Sequence, residues 1–122
     1  MSKHPIVHFE FSAIDREVSG KFYSDLFGWK VTQLPEMNYA MLDTGGELGG
    51  GLNPVSDSNP AGSTSIYINS DDIDATLAKA EQLGGKTIVP KSEIPGMGWF
   101  AIFADPTGNA VGLFTANPQE PA

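Results

Sequence analysis

The chain has 122 residues, 40% of them hydrophobic, which is enough for one domain with a real core and too few for two ordinary ones. Seven basic residues against 15 acidic give a formal net charge of -8, a balance that repels phosphate backbones and anionic lipid and so disfavours nucleic-acid and membrane partners. The absence of cysteine excludes disulfides, thiolate metal sites and a cysteine nucleophile. No apolar run approaches the ~18 residues of a membrane span, and the opening MSKHPIVHF lacks the apolar block of a secretory signal, so the expected location is the cytoplasm.

The first periodic stretch is IVHFEF, where alternation sends Val7, Phe9 and Phe11 to one face and His8 and Glu10 to the other. A strand is expected over 6–12. SAIDREVSGKFYSDLFGWKV follows, with Asp15 as N-cap, Glu17 in the first turn and Gly28 as the stop, predicting a helix over 15–27. Its apolar residues Ile14, Val18, Phe22 and Leu26 recur every fourth position and are expected to cover the Val7–Phe9–Phe11 face. Strands are expected at 29–34, 39–43 and 49–54, the last within the glycine-rich run DTGGELGGGL. Those glycines have neither a following helix nor a suitably spaced Lys for a phosphate loop, so they are read as bending a strand or admitting a close neighbour.

PVSDSNPAG, 54–62, has linker composition. After it the plan repeats. A strand is expected at 63–69, then a helix at 72–83 capped by Asp71 or Asp72 and stopped by Gly84-Gly85. Its apolar stripe is Ile73, Leu77, Ala80 and Leu83. Strands at 86–92, 98–104 and 110–115 complete the chain, with PKSEIPGMG as a loop able to cover a pocket and DPTGN as a turn. FGWKV at 27–31 aligns with LGGKT at 83–87, an offset of 56, and DTGGELGGGL at 43–52 aligns with DPTGNAVGLF at 105–114, an offset of 62. The organisation is therefore a duplication. The expected fold class is α+β: two tandem βαβββ modules, about 6–54 and 63–115, whose curved sheets pair around a cleft with the helices outside.

The chain resembles the vicinal oxygen chelate superfamily, which includes glyoxalase I, extradiol dioxygenases and bleomycin-resistance proteins. HFEFSAIDREVSGKFYSDLFGW, the duplication and GMGWFAIFADPTGNAVGLF carry that resemblance across nearly the whole chain. It implies a glyoxalase-like fold, a cleft for a small molecule and a homodimer. In metal-dependent members a His or Gln on the first strand and a Glu on the last strand of each module hold one divalent ion. With the two offsets, those positions read His8, Gly50, Thr64 and Gly112 here. Three of the four lack a suitable donor, so no metal or other cofactor is expected. Glu47 and His4 are the remaining nearby donors, one in a glycine-rich turn and the other close to the N-terminus.

His8 with Glu10 beside it is the candidate catalytic or ligand-anchoring pair, the carboxylate orienting the imidazole. Trp99, Phe103, Met97, Tyr39 and Met41 are the candidate pocket residues, since small-molecule sites are mostly apolar with a few polar groups. Alternation splits Trp99, Ala101 and Phe103 from Phe100 and Ile102 without deciding which set lines the cleft. Two functions follow from the resemblance: a metal-free small-molecule-binding protein, or a glyoxalase-like lyase or isomerase in which His8 and Glu10 move a proton next to a carbonyl. An extradiol dioxygenase needs two histidines and a carboxylate around iron and is not supported by this set.

Overall fold

In the computed structural model, residues 4–117 are described. The chain divides into two compact units: His8–Ile66, and Tyr67 onward joined by the described residues before His8. The element order is βαβββ twice over, as the duplication implies. In the first module β1 (Ile6–Ala13), α1 (Arg16–Phe27), β2 (Lys30–Leu34), β3 (Tyr39–Asp43) and β4 (Gly49–Pro54) form a mixed sheet in the order β2-β3-β4-β1. β1 and β4 run parallel, and the other neighbours are antiparallel. In the second, β5 (Thr64–Asn69), α2 (Ile73–Gln82), β6 (Lys86–Ile94), β7 (Gly98–Ala104) and β8 (Ala110–Ala116) repeat the pattern as β5-β8-β7-β6. β5 and β8 are the parallel pair there.

Both helices begin where the sequence signals. Asp15 Oδ1 accepts from the Glu17 and Val18 amides, and Asp72 Oδ1 accepts from the Ala75 amide, so Asp72 and not Asp71 is the cap of α2. Gly28, at φ 75°, ends α1 in the left-handed region that glycine adopts without strain.

The face that α1 turns to its sheet differs from the expectation. Its buried residue is Gly20, where a Cβ would stand 2.9 Å from Val31 Cγ1 and 3.1 Å from Gln33 Nε2. One turn before, Arg16 donates to Gln33 Oε1 at 3.1 Å and its carbonyl accepts from Gln33 Nε2 at 3.1 Å. Tyr23 completes that face, stacked between Phe11 at 5.3 Å and Trp29 at 5.5 Å. Around it, Ala13, Ala40, Leu42 and Leu52 form the buried core, joined by Phe9 and Val31. The sheet already supplies bulky aromatics, so the helix approaches on a glycine and one flat ring, and Ile14, Val18, Phe22 and Leu26 are left exposed. α2 buries part of its expected stripe: Ile73 and Leu77 pack on Ala101 and Leu113, with Ile68, Trp99 and Phe103 alongside, whereas Leu83, just past the helix end, is exposed.

Two further differences concern the late strands. β6 continues to Ile94, with register shifts between Thr87 and Val89 and between Val89 and Ser92, so most of the expected covering loop is strand. Only a short turn separates it from β7, closed by the Met97 amide on the Ile94 carbonyl. At its end Gly98 has φ 151°, and a Cβ there would run into the Thr115 carbonyl oxygen. The β7–β8 turn is organised by Asp105, whose Oδ1 accepts from the amides of Thr107, Gly108 and Asn109 and whose Oδ2 accepts from the Asn109 side chain. Those bonds, the Asn109 side chain first, hold its carboxyl below the ordinary 3.8. No helix among the described residues is long and apolar enough to cross a membrane.

Gly98→Ala should therefore lower the unfolding free energy by about 2 kcal/mol or more, combining a strained φ with a backbone clash; urea titration measures it. Asp105→Ala tests the turn through pH. The folded-state carboxyl is depressed, so its contribution is complete above the unfolded value and lost as pH falls through the folded one. The melting-temperature gap between the two proteins should be largest near neutrality and close in acid. A gap independent of pH would show that the charged carboxylate does not hold the turn.

Candidate functional site

On the face of the first module turned away from its core, β1 presents His8 and Glu10. Ala40 and Leu42 are buried, which places Tyr39 and Met41 on that same open face of β3. The parallel register sets His8 beside Gly49, Glu10 beside Gly51 and Ser12 beside Asn53. A 3-10 turn over Pro35–Met37 followed by Asn38 at φ 50° delivers the chain to Tyr39. Opposite Met41 lies Gly51.

The Tyr39 phenol lies over Gly51, where a Cβ would fall inside the ring and its hydroxyl. From there it joins the two polar residues of β1. The Tyr39 hydroxyl donates to Glu10 Oε2 at 2.8 Å and accepts from His8 Nε2 at 2.7 Å. His8 Nε2 and Glu10 Oε2 are themselves 3.4 Å apart. A second donor reaches the carboxylate from the other side, Asn53 Nδ2 to Glu10 Oε1 at 3.4 Å. The phenol has one hydrogen, which goes to Glu10, so the imidazole contributes the hydrogen in the His8 contact. Carboxylate, phenol and imidazole thus form one chain through which a proton can pass, with each member held by its neighbours.

The sequence-derived site residues separate into two groups. His8, Glu10, Tyr39 and Met41 share this face. Trp99 and Phe103 do not take the pocket role expected of them. They lie on the helix side of the second module, packed with Ala101 against Ile73 and Leu77, so Phe100 and Ile102 form the other face of β7. Lys91 Nζ stands 4.9 Å over the Trp99 ring. Met97 sits in the β6–β7 turn, 40% exposed, its carbonyl accepting from the Asn117 amide. Asn53 and the polar role of Tyr39 escape sequence reasoning, because both depend on the strand register that brings β3 and β4 alongside β1.

The register also moves two of the four expected metal-ligand positions. A Cβ on Gly50 would enter the Phe9 ring on the core side, whereas one on Gly112 would enter the Tyr67 ring on the side away from Leu113. Tyr67 faces Gly112 as Glu10 faces Gly51. The helix caps Asp15 and Asp72 give an offset of 57 for the first strands, 72 minus 15. The counterpart of His8 is thus Ser65, and the counterpart of Gly112 is Gly51. His4 is not a donor for such a site, since its Nδ1 bonds the Asn69 carbonyl at 2.8 Å, and Glu47 is exposed in the β3–β4 turn. Among the described residues no group of three or more His, Cys, Asp or Glu side chains is placed to hold a metal ion. His8 and Glu10 supply two donors, Gly51 supplies none, and the Tyr39 hydroxyl lies between them. This donor set does not fit the divalent ion that the resemblance implies.

Comparison with known proteins agrees with the architecture. The family model described as Glyoxalase/Bleomycin resistance protein/Dioxygenase superfamily matches residues 5–113. Over 115 residues the chain is 34% identical to the glyoxylase-like protein CFP32 of Mycobacterium tuberculosis, spanning 88% of this chain and 44% of that one. Over 132 residues it is 29% identical to the anthracycline biosynthesis protein DnrV of Streptomyces peucetius, spanning 93% and 48%. The chain therefore covers about half the length of these relatives. Among solved structures, methylmalonyl-CoA epimerase of Streptomyces coelicolor in complex with 2-nitronate-propionyl-CoA superposes with a TM-score of 0.72 at 21% identity, over 97% of this chain and 98% of that one. Duplicated βαβββ modules, their matched strand order and the family match lead to one conclusion: the chain belongs to the glyoxalase/bleomycin resistance protein/dioxygenase superfamily.

Proposed function

We propose that the protein binds a small, partly aromatic organic molecule on the open face of the first module without a metal ion. The observation that carries this reading is the Tyr39 hydroxyl bridging His8 and Glu10 over a side-chain-free stretch of β4. The bridge commits both potential metal donors to a hydrogen-bonded network, and that network offers polar anchors next to the thioether of Met41. A ligand carbonyl or hydroxyl would bond the imidazole–phenol pair while its apolar body lies over Gly49, Gly51 and Met41. The similarity to DnrV favours planar oxygenated ring systems as the first class to try, and the net charge of -8 favours those carrying an amine.

The first measurement is calorimetric titration of metal-stripped protein with Ni²⁺, Zn²⁺, Mn²⁺ and anaerobic Fe²⁺, repeated on His8→Ala. Heats at background level for both proteins are expected. Tight one-to-one uptake that disappears with His8 would overturn the metal-free reading. For the ligand, an anthracycline titrated against ¹⁵N- and methyl-labelled protein should perturb Met41, Tyr39 and Gly51. Tyr39→Phe should weaken that binding about tenfold, the ~1.4 kcal/mol of one partly buried hydrogen bond. Perturbations confined to residues outside this face would rule the assignment out.

A second reading, an isomerase or lyase acting beside a carbonyl, is favoured by the unbroken carboxylate–phenol–imidazole chain. His8 would take the proton and the Tyr39 hydroxyl would relay it to Glu10. Deuterium exchange next to the carbonyl of a bound α-hydroxy ketone distinguishes the two. His8→Ala should slow it ~10²–10⁴-fold if this chemistry operates, and exchange equal to the protein-free rate would leave binding alone.

A further inference from the structure

The segment after β4 is folded, although PVSDSNPAG has the composition of a linker. The Val55 amide donates to the Ala13 carbonyl at 3.1 Å, so the chain leaves β4 still paired with the end of β1. Ser56 and Asn59 then exchange backbone hydrogen bonds, amide to carbonyl in both directions, at 3.0 and 3.1 Å. Two side chains pin the turn that this closes. Ser12 Oγ donates to the Pro60 carbonyl at 3.1 Å. Asn59 Nδ2 reaches back to the Pro54 carbonyl at 2.9 Å and the Asn53 carbonyl at 3.5 Å. All of these residues lie in the one compact unit His8–Ile66.

One side chain ties the turn to the hydrogen-bonded network. Asn53 shares its face of β4 with Gly51 and stands beside Ser12 of β1, and its Nδ2 donates to Glu10 Oε1 at 3.4 Å. Glu10 is therefore held at both oxygens, by Asn53 at Oε1 and by the Tyr39 hydroxyl at Oε2. The two holds do different things. Tyr39 links the carboxylate to His8, whereas Asn53 fixes how the carboxylate is turned. A carboxylate anchored at one oxygen only can rotate about its last bond, and His8 Nε2, 3.4 Å from Oε2, is a competing donor. Imidazole and carboxylate would then pair directly, and the phenol would no longer stand between them.

We propose that Asn53 is a positioning residue for Glu10 and that Asn59 keeps Asn53 in place, so that the turn over 55–60 holds the imidazole–phenol–carboxylate chain in its bridged form. Its effect on binding rests on the reading of this face as the ligand site. Donor chemistry fixes both amides: an ionised carboxylate only accepts, so the Asn53 nitrogen faces Glu10, and the Asn59 nitrogen likewise faces two carbonyl oxygens. Aspartate has the shape of asparagine without a hydrogen to give, so that exchange removes the donation and keeps the volume. The bond from Asn53 is long, and the effect expected of it is correspondingly modest. Asn59 acts one step further away, and its effect is smaller again.

The test is made at about pH 8, where an added carboxylate is ionised, on protein with ¹⁵N-labelled histidine and ¹³C-labelled glutamate. Tyr39→Phe supplies the His8 Nε2 and Glu10 carboxyl chemical shifts of a network without its bridge. Asn53→Asp, and Asn53→Ala, which adds no charge, should move both shifts toward those values. Asn59→Asp should move them in the same direction by less. Hydrogen-exchange protection along β4 should stay at the wild-type level in all three. Unchanged shifts in the Asn53 variants would overturn the proposal, and so would shifts accompanied by lost protection throughout β4, the mark of a merely structural role. An anthracycline should bind the Asn53 variants about threefold to tenfold more weakly than the wild type. Undiminished binding would overturn the role given to the turn. A wild type that binds none, with the shifts moving as stated, would uphold the positioning role and end the reading of this face as a ligand site.

Discussion

Glycine beneath an aromatic ring is the constraint on which the first module depends. Gly50 and Gly51 are consecutive on β4 and so present opposite faces, and each is covered by a ring from a different strand, Phe9 on the core side and Tyr39 on the open side. The absence of a side chain at both positions lets a ring lie almost flat on the β4 backbone. One ring closes the core against Ala40, Leu42 and Leu52. The other brings a hydroxyl to the two polar residues of β1. The second module repeats the device once, with the Tyr67 ring against Gly112 on the last strand.

That arrangement gives a physical account of the chemistry available on this face. A side chain at position 51 and the phenol of Tyr39 compete for the same volume, so the module carries either a donor on β4 or a bridging hydroxyl from β3. Here the hydroxyl is present, and it ties imidazole to carboxylate at 2.7 and 2.8 Å. Donors and acceptors in such a chain are engaged within the protein, and each bond restrains the groups on either side of it. The glycine-rich strand therefore lies beneath this network, whose side chains come from β1 and β3.

The two helices show how similar sequence patterns serve different ends. On α2 the apolar residues Ile73 and Leu77 face the core, packed on Ala101 and Leu113 with Trp99 and Phe103 alongside. Beneath α1 the room is already taken by Phe9, Phe11 and Trp29. Only a glycine and the flat ring of Tyr23 fit there, so the periodic stripe turns outward. Apolar periodicity identified both helices correctly and identified the buried face of only one.

Sequence by itself determined the duplication, the order of elements, both N-caps to within a residue and the pairing of His8 with Glu10, because each rests on local chemistry. Alternation along β1 needs only neighbouring residues, and an aspartate before a helix needs only the free amides of its first turn. Tertiary structure decided the rest. The fate of the apolar stripe on α1 depended on how bulky the opposing sheet is. The inward packing of Trp99 and Phe103 depended on which side of β7 α2 covers. The assignment of Gly51 rather than Gly50, and of Ser65 rather than Thr64, to the open face depended on strand register. Register is fixed by pairings between residues some 40 apart in the chain, such as Glu10 with Gly51, and a shift of one residue exchanges the faces of a whole strand. Tyr39 became the centre of the hydrogen-bonded network for the same reason: only the folded sheet sets β3 across β4 from β1.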